Sequence, residues 1–378
     1  MKISIIGAGI AGLTTAIALK KAGFETEVFE AASEIKPVGA GLGLAPNAIK
    51  AFYELGIAEK IIPLGRRLPH FKITNAAGSI LSFTDSQAIS ARYGIDNFTI
   101  HRYALHQALL QELDGTPIYI GKKVIGLTKE GKELIIQFQD GSSHKTPYLI
   151  IADGIHSVLR NKLVPHATIR YAGYSCWRAV IEGTGIAQEG ASETWDTAGR
   201  FGIVPLKDNQ IYWFACINAP EKSEKFKNFR VQDLYAHFHQ FHAPVPQILS
   251  KTKDEQLLHH DIFDLDPLPH FVYDNVLLVG DTAHGMTPNM GQGACQAIED
   301  AVVLGKELER NTTIEAALQA FERRRLKRTE KIILRSRNIG RIAQTSNPIL
   351  AGIRNAMLRI TPASAQTKQF DMLYNIDF

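Results

Sequence analysis

Short, almost wholly apolar runs recur at three distant places, each closed by glycine or aspartate. They are Ile3 to Ile6 before Gly7, Ile150-Ile151-Ala152 before Asp153-Gly154, and Val276 to Val279 before Gly280-Asp281. Such runs lack the alternation of a half-exposed strand and fit strands buried on both faces, as in a parallel sheet. Helical patterns follow two of them: Leu13 to Ala22, stopped by Gly23 ahead of a second strand from Glu25 to Glu30, and Ala294 to Leu308. A further helix headed by Arg102 carries Leu105, Leu109 and Leu110 on one side, and Leu350 to Ile360 reads as a closing helix. Over 71–98 and 169–267 the glycine-rich helix entries disappear and the pattern turns β-rich. There Arg200 to Leu206 and Gln210 to Ile217 read as a hairpin around the polar turn Lys207-Asp208-Asn209.

The glycines after the first run have separable physical tasks. Gly7 turns the chain at the strand end, Gly9 lets a pyrophosphate approach the backbone, and Gly12 lets the next helix pack on the strand. The helix N-terminus then offers unpaired N–H groups and a partial positive charge to the anion. Glu30, about 20 residues on, sits where a carboxylate accepts hydrogen bonds from a ribose. A signal peptide or membrane helix is the competing reading of Ile3 to Leu19. Against it, glycines interrupt the run, only Lys2 precedes it, no cleavage-like site follows, and it falls short of the ~20 residues a span needs.

One such loop does not separate NAD from FAD. Asp281, delivered by a buried strand, can accept hydrogen bonds from a polyol such as the ribityl chain of a flavin. Gly291-Gln292-Gly293 then opens the Ala294 helix toward a second electron-rich group. These stretches, in this order, resemble the FAD-dependent aromatic hydroxylases, group A flavoprotein monooxygenases with the para-hydroxybenzoate hydroxylase fold. The likeness covers roughly residues 1 to 340. It implies an α/β fold: a Rossmann-like FAD-binding domain assembled discontinuously from 1–70, 99–168 and 268–345, a β-sheet substrate-binding domain from 71–98 and 169–267, and a C-terminal helical tail, 346–378.

The resemblance also assigns roles. FAD would be held tightly but noncovalently by Gly7, Gly9, Ala11, Gly12, Glu30, Ala31 and Gly43 at its nucleotide end. Arg102 would reach the phosphates and the Val124 backbone the adenine. Asp153, in the Asp-Gly pair, would lie near the pyrophosphate and has been linked to handling of the pyridine nucleotide. Asp281 would take the ribityl chain, and Gly291, Gln292, Gly293 and Ala294 would face the flavin edge. NAD(P)H would be a transient co-substrate, dioxygen would add to the reduced flavin at C4a, and the resulting hydroperoxide would oxygenate an electron-rich ring. Pro288, in Thr287-Pro288-Asn289-Met290, would stiffen the loop beside the reacting face through its fixed φ.

Within the family, Tyr171 to Arg178 and the Gly39-Ala40-Gly41-Leu42-Gly43 loop look closest to the branch of urate, salicylate and 3-hydroxybenzoate hydroxylases and zeaxanthin epoxidase. Arg200 and Tyr212 align with pocket residues of that branch. Arg200 suits a carboxylate or ionised heterocycle, and Tyr212 would orient the ring or accept a proton. Trp177, Arg178 and Trp213 are further candidates, although strand alternation sends Tyr212 and Trp213 to opposite faces. Arg200 paired with Asp196, Tyr212 as core packing, and His284 as either a structural or an acid/base group remain open. So do epoxidation, a flavin reductase or dehydrogenase without oxygen transfer, and a flavoprotein without turnover.

A single Gly-x-Gly-x-x-Gly leaves no second dinucleotide domain. Cys176, Cys216 and Cys295 form no C-x-x-C and suit a reducing, cytoplasmic setting. No metal-site spacing occurs; adjacent His259 and His260 would point apart. At 378 residues, with 45% hydrophobic content and a net charge of +4, the chain can bury a large core and gives no reason to expect nucleic acid. Arg323-Arg324-Arg325-Leu326-Lys327-Arg328 begins a basic run through Lys331, Arg335, Arg337 and Arg341. No exposed apolar block is expected beside it, which favours a solvated helix face and no stable membrane association. A monomer or homodimer is expected.

Overall fold

The computed structural model describes residues 2–35, 40–186 and 188–378. Its floor is a six-stranded sheet in the order Val272–Tyr273, Val276–Leu278, Leu149–Ile151, Lys2–Ile6, Glu25–Phe29, Ile118–Tyr119. Pairing is parallel except at the Val272–Tyr273 edge. Register decides what this sheet can do. Ile6 lies beside both Phe29 and Ile151, and Ile151 beside Leu278. Four distant segments therefore stop on one edge, and Gly7, Glu30, Asp153 and Asp281 follow from it, at the carboxyl end where open α/β sheets take ligands. The first helix, Ile10–Lys21, begins earlier than its apolar spacing predicts, because Gly9 is extended and already caps it. It packs on Gly293–Arg310, with Gly305 close against Ala18.

The roof is a seven-stranded sheet in the order Leu258–Leu265, Ile169–Glu182, Gln210–Asn218, Gly199–Pro205, Ala191–Asp196, His70–Thr74, Ile80–Asp85. Gly199–Pro205 and Gln210–Asn218 form the expected hairpin, and Asp208 and Asn209 take φ of +53° and +55°, as a two-residue hairpin turn requires. The β-rich expectation for this region is incomplete, since helices Val231–Phe238 and Val245–Lys251 cover the sheet's outer face. Between sheet and helices lies a separate core containing Trp177, Trp213, Phe201, Leu234 and Phe238, with Phe201 stacked on Trp213 at 5.2 Å. The inner face is left to look down on the floor's ligand edge.

One helix, Ile314–Ala343, joins the two layers. The basic run lies on it, and the expectation of a solvated face fails for its central arginines. Arg325 is fully buried, bonding Asp300 through Nε at 2.7 Å and also pairing with Glu299, which Arg328 reaches at 2.8 Å. Nearer the roof, Arg337 pairs with Asp264 and Asp266 at 2.8 and 2.7 Å. Burial would raise the Asp300 and Glu299 carboxyls. Instead His284 and Arg325 hold Asp300, and Arg325 and Arg328 hold Glu299, below the usual carboxylate range. The tail is two helices, Pro348–Ile360 and Ala363–Tyr374. The second is tied to the helix after the roof strand Ile80–Asp85, where Asp371 accepts hydrogen bonds from Arg92 and Tyr93, and to the long helix, where the Met372 and Leu373 carbonyls accept from Arg328.

Arg325→Met should leave two buried carboxylates without their shared cation. The expected loss is about 3 to 5 kcal/mol, read as a lower urea midpoint at saturating FAD. Because both carboxyl pKa values are depressed in the fold, the wild-type stability they confer is present above an unfolded-state value of ~4 and is lost as the pH falls through the lower folded values. Arg325→Met should show a weaker acid dependence.

Candidate active site

The nucleotide end of the cleft is built from backbone. Gly7 sits at φ +99°, and a Cβ there would lie 2.5 Å from the Ala152 carbonyl oxygen; one at Gly12 would lie 1.8 Å from that of Gly7. These two glycines are required by the protein itself. Gly9 differs, with φ −76° and no protein atom within 4 Å of a built Cβ, so only something in the cleft would meet a side chain there. Ala11 abuts Gly280, whose added Cβ would lie 2.7 Å away, locking the first helix to the third strand's exit. Glu30 accepts hydrogen bonds from the Ala8 and Ala32 N–H groups at 2.8 Å each, which fixes the carboxylate and leaves further lone pairs for ribose hydroxyls. Ala31 is exposed beside it. His106, which sequence reasoning missed, donates from Nε2 to the Ala8 carbonyl at 2.6 Å and steadies the same loop.

Around this end, Gly43 lies in the strand Gly41–Leu44, again with no protein atom near a built Cβ. Gly39 of that loop lies outside the described residues. Arg102 begins the helix Arg102–Gln111, ties its N–H to the Ala40 carbonyl at 2.8 Å and leaves its side chain exposed. Val124 is buried at the start of Val124–Glu130, and the Lys122 N–H to Glu30 carbonyl bond of 2.7 Å holds that strand's entry next to Glu30.

At the other end, Asp281 is exposed to the cleft yet ringed by protein. Desolvation raises its pKa, against the pull of His284 and Arg102. Its Oδ1 lies 3.8 Å from where a Gly293 Cβ would be, so the carboxylate adjoins the first turn of Gly293–Arg310, with Gln292 as N-cap and Ala294 half-buried. Gly291 turns the chain into it at φ +62°. Asp153 is tied to the same corner: Thr282 Oγ1 donates to its Oδ1 at 3.2 Å and accepts from the Gly154 N–H at 2.9 Å. The loop between is more ordered than a plain loop, with helical turns at Asp281–His284 and Pro288–Met290. Pro288 is exposed, while Asn289 bonds Thr287 and the Ser336 carbonyl, fixing the turn. His284 is fully buried and bonds Asp300 at 2.6 Å.

Alternation along the roof strands sorts the pocket candidates. Trp177 and Trp213 lie in the outer core, so they are not pocket residues. Arg178, Arg200, Tyr212 and His260 share the opposite, inner face, as do Cys176 and Cys216, which stand directly opposite each other. Arg200 pairs with Glu193 at 3.1 Å, not with Asp196, and donates to Gln344 at 2.7 Å. Tyr212 packs on Gly41, whose Cβ would lie 2.6 Å from its ring. Burial pushes its phenol well above the ordinary value, so it stays protonated and is no base near neutral pH. Arg178 bonds Cys176 Sγ at 3.4 Å and has no carboxylate partner among the described residues. Cys216 and Arg178 together favour the Cys176 thiolate, while the Cys216 proton is held. His259 packs on Trp177, whereas His260 is exposed to the cleft. Burial and the Arg178 and Arg102 charges keep the His260 imidazole neutral. No metal-holding group of side chains occurs among the described residues.

A dinucleotide cradle whose far end opens beneath an arginine- and tyrosine-bearing sheet defines a flavoprotein acting on a small molecule held between floor and roof. An FAD binding domain family model matches residues 1–336, and the chain belongs to that family, that of the FAD-dependent aromatic hydroxylases. It is 35% identical over 361 residues to the aurachin C monooxygenase/isomerase of Stigmatella aurantiaca, covering 95% of this chain and 94% of the relative. It is 32% identical to the 2-heptyl-3-hydroxy-4(1H)-quinolone synthase of Pseudomonas aeruginosa, over 99% and 98%. Klebsiella pneumoniae HpxO, solved with FAD and uric acid, superposes with a TM-score of 0.92 at 28% identity, over 99% of this chain and 97% of that one. The chain is thus an FAD-dependent, NAD(P)H-using monooxygenase of aromatic or heteroaromatic compounds.

The cradle separates fold from cofactor experimentally. Gly9→Val should fold normally by near-UV circular dichroism yet purify without flavin, whereas Gly12→Val should fail to fold. Asp281→Ala should weaken FAD by about 1.5 to 3 kcal/mol, or roughly 10- to 100-fold in Kd by fluorescence titration.

Proposed function

We propose that the enzyme hydroxylates a fused, quinolone-like heteroaromatic ring in the cytoplasm, with Arg178 and His260 as the polar groups that activate it. The observation carrying this reading is the unequal state of the two roof arginines. Arg200 is already neutralised by Glu193, so the expected anion-binding role passes to Arg178, which faces the cleft without a carboxylate partner among the described residues. The two relatives quoted above match nearly end to end, and one is named for a 4-quinolone bearing a 3-hydroxyl and a seven-carbon chain.

The ring chemistry fits these side chains. Carbon 3 of a 4-quinolone is conjugated to the ring nitrogen and adjoins the C4 carbonyl, so it is nucleophilic, and more so once the N–H proton is removed. Neutral His260 is suited to accept that proton, while the Arg178 guanidinium stabilises the charge left on the C4 oxygen. Tyr212, protonated, orients the ring by donating a hydrogen bond. Pro288 and the Asn289 contacts keep the facing loop stiff, and the stacked layers exclude water. FAD, when bound, supplies activated oxygen from O2 at the expense of NAD(P)H, and the other oxygen atom leaves as water. Asp153, tied to the Asp281 corner, and the exposed Arg102 are the groups we assign to the pyrophosphate and the arriving nicotinamide nucleotide.

A 2-alkyl-4-quinolone should stimulate NAD(P)H oxidation and gain a single oxygen by mass. Arg178→Met should raise KM about 10- to 100-fold with FAD retained, and His260→Gln should flatten the lower limb of the kcat pH profile. Oxygenation of urate but not of the quinolone would overturn the substrate assignment. NAD(P)H oxidation without any oxygenated product across a panel of quinolones, purines and phenolic acids would favour a reductase.

A further inference from the structure

We propose that the tail helix Pro348–Ile360 docks the enzyme onto an anionic lipid bilayer, lying in the surface plane. Ile349, Leu350, Ile353, Met357 and Ile360 follow one side of this helix, with exposures of 74%, 56%, 52%, 62% and 79%. Their spacing makes a continuous apolar stripe. The helix cannot roll to hide it. Arg354, beside Ala351 on the helix's inward face, is buried with Nη1 donating to the Ala343 carbonyl at 3.1 Å and its guanidinium 5.5 Å over the Trp195 ring. Phe83, half exposed on the neighbouring strand Ile80–Asp85, widens the apolar surface.

Charge identifies the partner. From Lys331 to Phe370 the sequence holds seven lysines and arginines and no aspartate or glutamate. Lys331, Arg341, Arg359 and Lys368 are exposed along that stretch. An exposed apolar stripe on a segment whose charged side chains are all cationic matches a planar surface with an apolar interior and anionic headgroups. A second copy of the same face would bring like charges together, which disfavours self-association through it. No helix among the described residues is long and apolar enough to cross a membrane, so the helix lies on the bilayer. The expectation of no stable membrane association assumed that no apolar block stood beside the basic run, and this helix offers an exposed apolar stripe. Arg354 and Trp195 place the docked helix at the Arg200 edge of the roof, where a ring with an alkyl chain would be collected from lipid. That last step rests on the quinolone-type reading; the docking does not.

The test is flotation of the FAD-loaded enzyme with vesicles of phosphatidylcholine alone or mixed with phosphatidylglycerol. Wild type should float with the anionic vesicles and detach at high salt. The double variant Ile353→Gln, Met357→Gln should keep FAD, folding and turnover of a soluble substrate, but lose at least roughly tenfold in partitioning. Arg341→Gln with Arg359→Gln should weaken binding to anionic vesicles selectively. Three results would overturn the proposal: no flotation of wild type, equal flotation of wild type and the Gln double variant, or a wild-type dimer that this variant dissolves. Preference for an acidic peptide over vesicles would overturn it too. None of these outcomes depends on which ring is oxygenated, so the docking and the substrate assignment fail separately.

Discussion

Everything at the flavin end depends on where Asp300 is held. Its carboxylate accepts the Gly280 N–H at 2.8 Å, His284 Nε2 at 2.6 Å and Arg325 Nε at 2.7 Å. One buried anion thereby fixes the exit of the third central strand, the loop after it, the helix that carries Asp300 and the long helix opposite. Burying it is expensive in isolation, and only the convergence of donors makes the ionised form tolerable. The return is positional: Asp281 and the Gly293 helix entry, both lying between Gly280 and Asp300 in sequence, end up adjacent.

The roof solves a different problem with the same economy. Strand alternation gives its outer face an independent aromatic core and its inner face a set of polar groups, so one hydrophobic sheet both folds a domain and equips a pocket. The inner face is not uniformly cationic. Glu193 and Gln344 occupy Arg200, Cys176 occupies part of Arg178, and the resulting surface suits a ring with a polarised carbonyl at least as well as a full anion.

The cradle was largely legible in sequence because its grammar is local: a strand, a glycine at the exit, a helix entry. Gly7, Gly12, Glu30 and Asp281 needed no knowledge of distant segments to be picked out. The roof was half legible. Alternation separated Tyr212 from Trp213, but only the packing of helices Val231–Phe238 and Val245–Lys251 says which face is outer. The Arg200 to Glu193 pair crosses between strands whose register the sequence does not declare, so the carboxylate that neutralises Arg200 could not be read from it. The basic run misled for a related reason. Its spacing shows a charged helix, yet the acids that draw Arg325 and Arg337 inward, Asp300, Glu299 and Asp264, lie on other elements. His260 was dismissed with its neighbour as a metal ligand, though the very alternation that spoils the pair is what turns one imidazole to the cleft.

The strand order of the floor also sets a timetable. Lys2–Ile6 finds its inner neighbour only at Leu149–Ile151, which in turn waits for Val276–Leu278, and the anion that locks them is answered by Arg325 near the far end of the chain. During synthesis the first apolar strand therefore emerges long before its inner neighbours, while the roof, contributed mainly by the intervening stretch, can close on its own core before the last of them appears. Such non-local pairing folds slowly and leaves unpaired strand edges open to aggregation. The newborn chain is thus a finished lid attached to an unfinished base, and its demand for chaperones is greatest in the interval before the long helix leaves the ribosome.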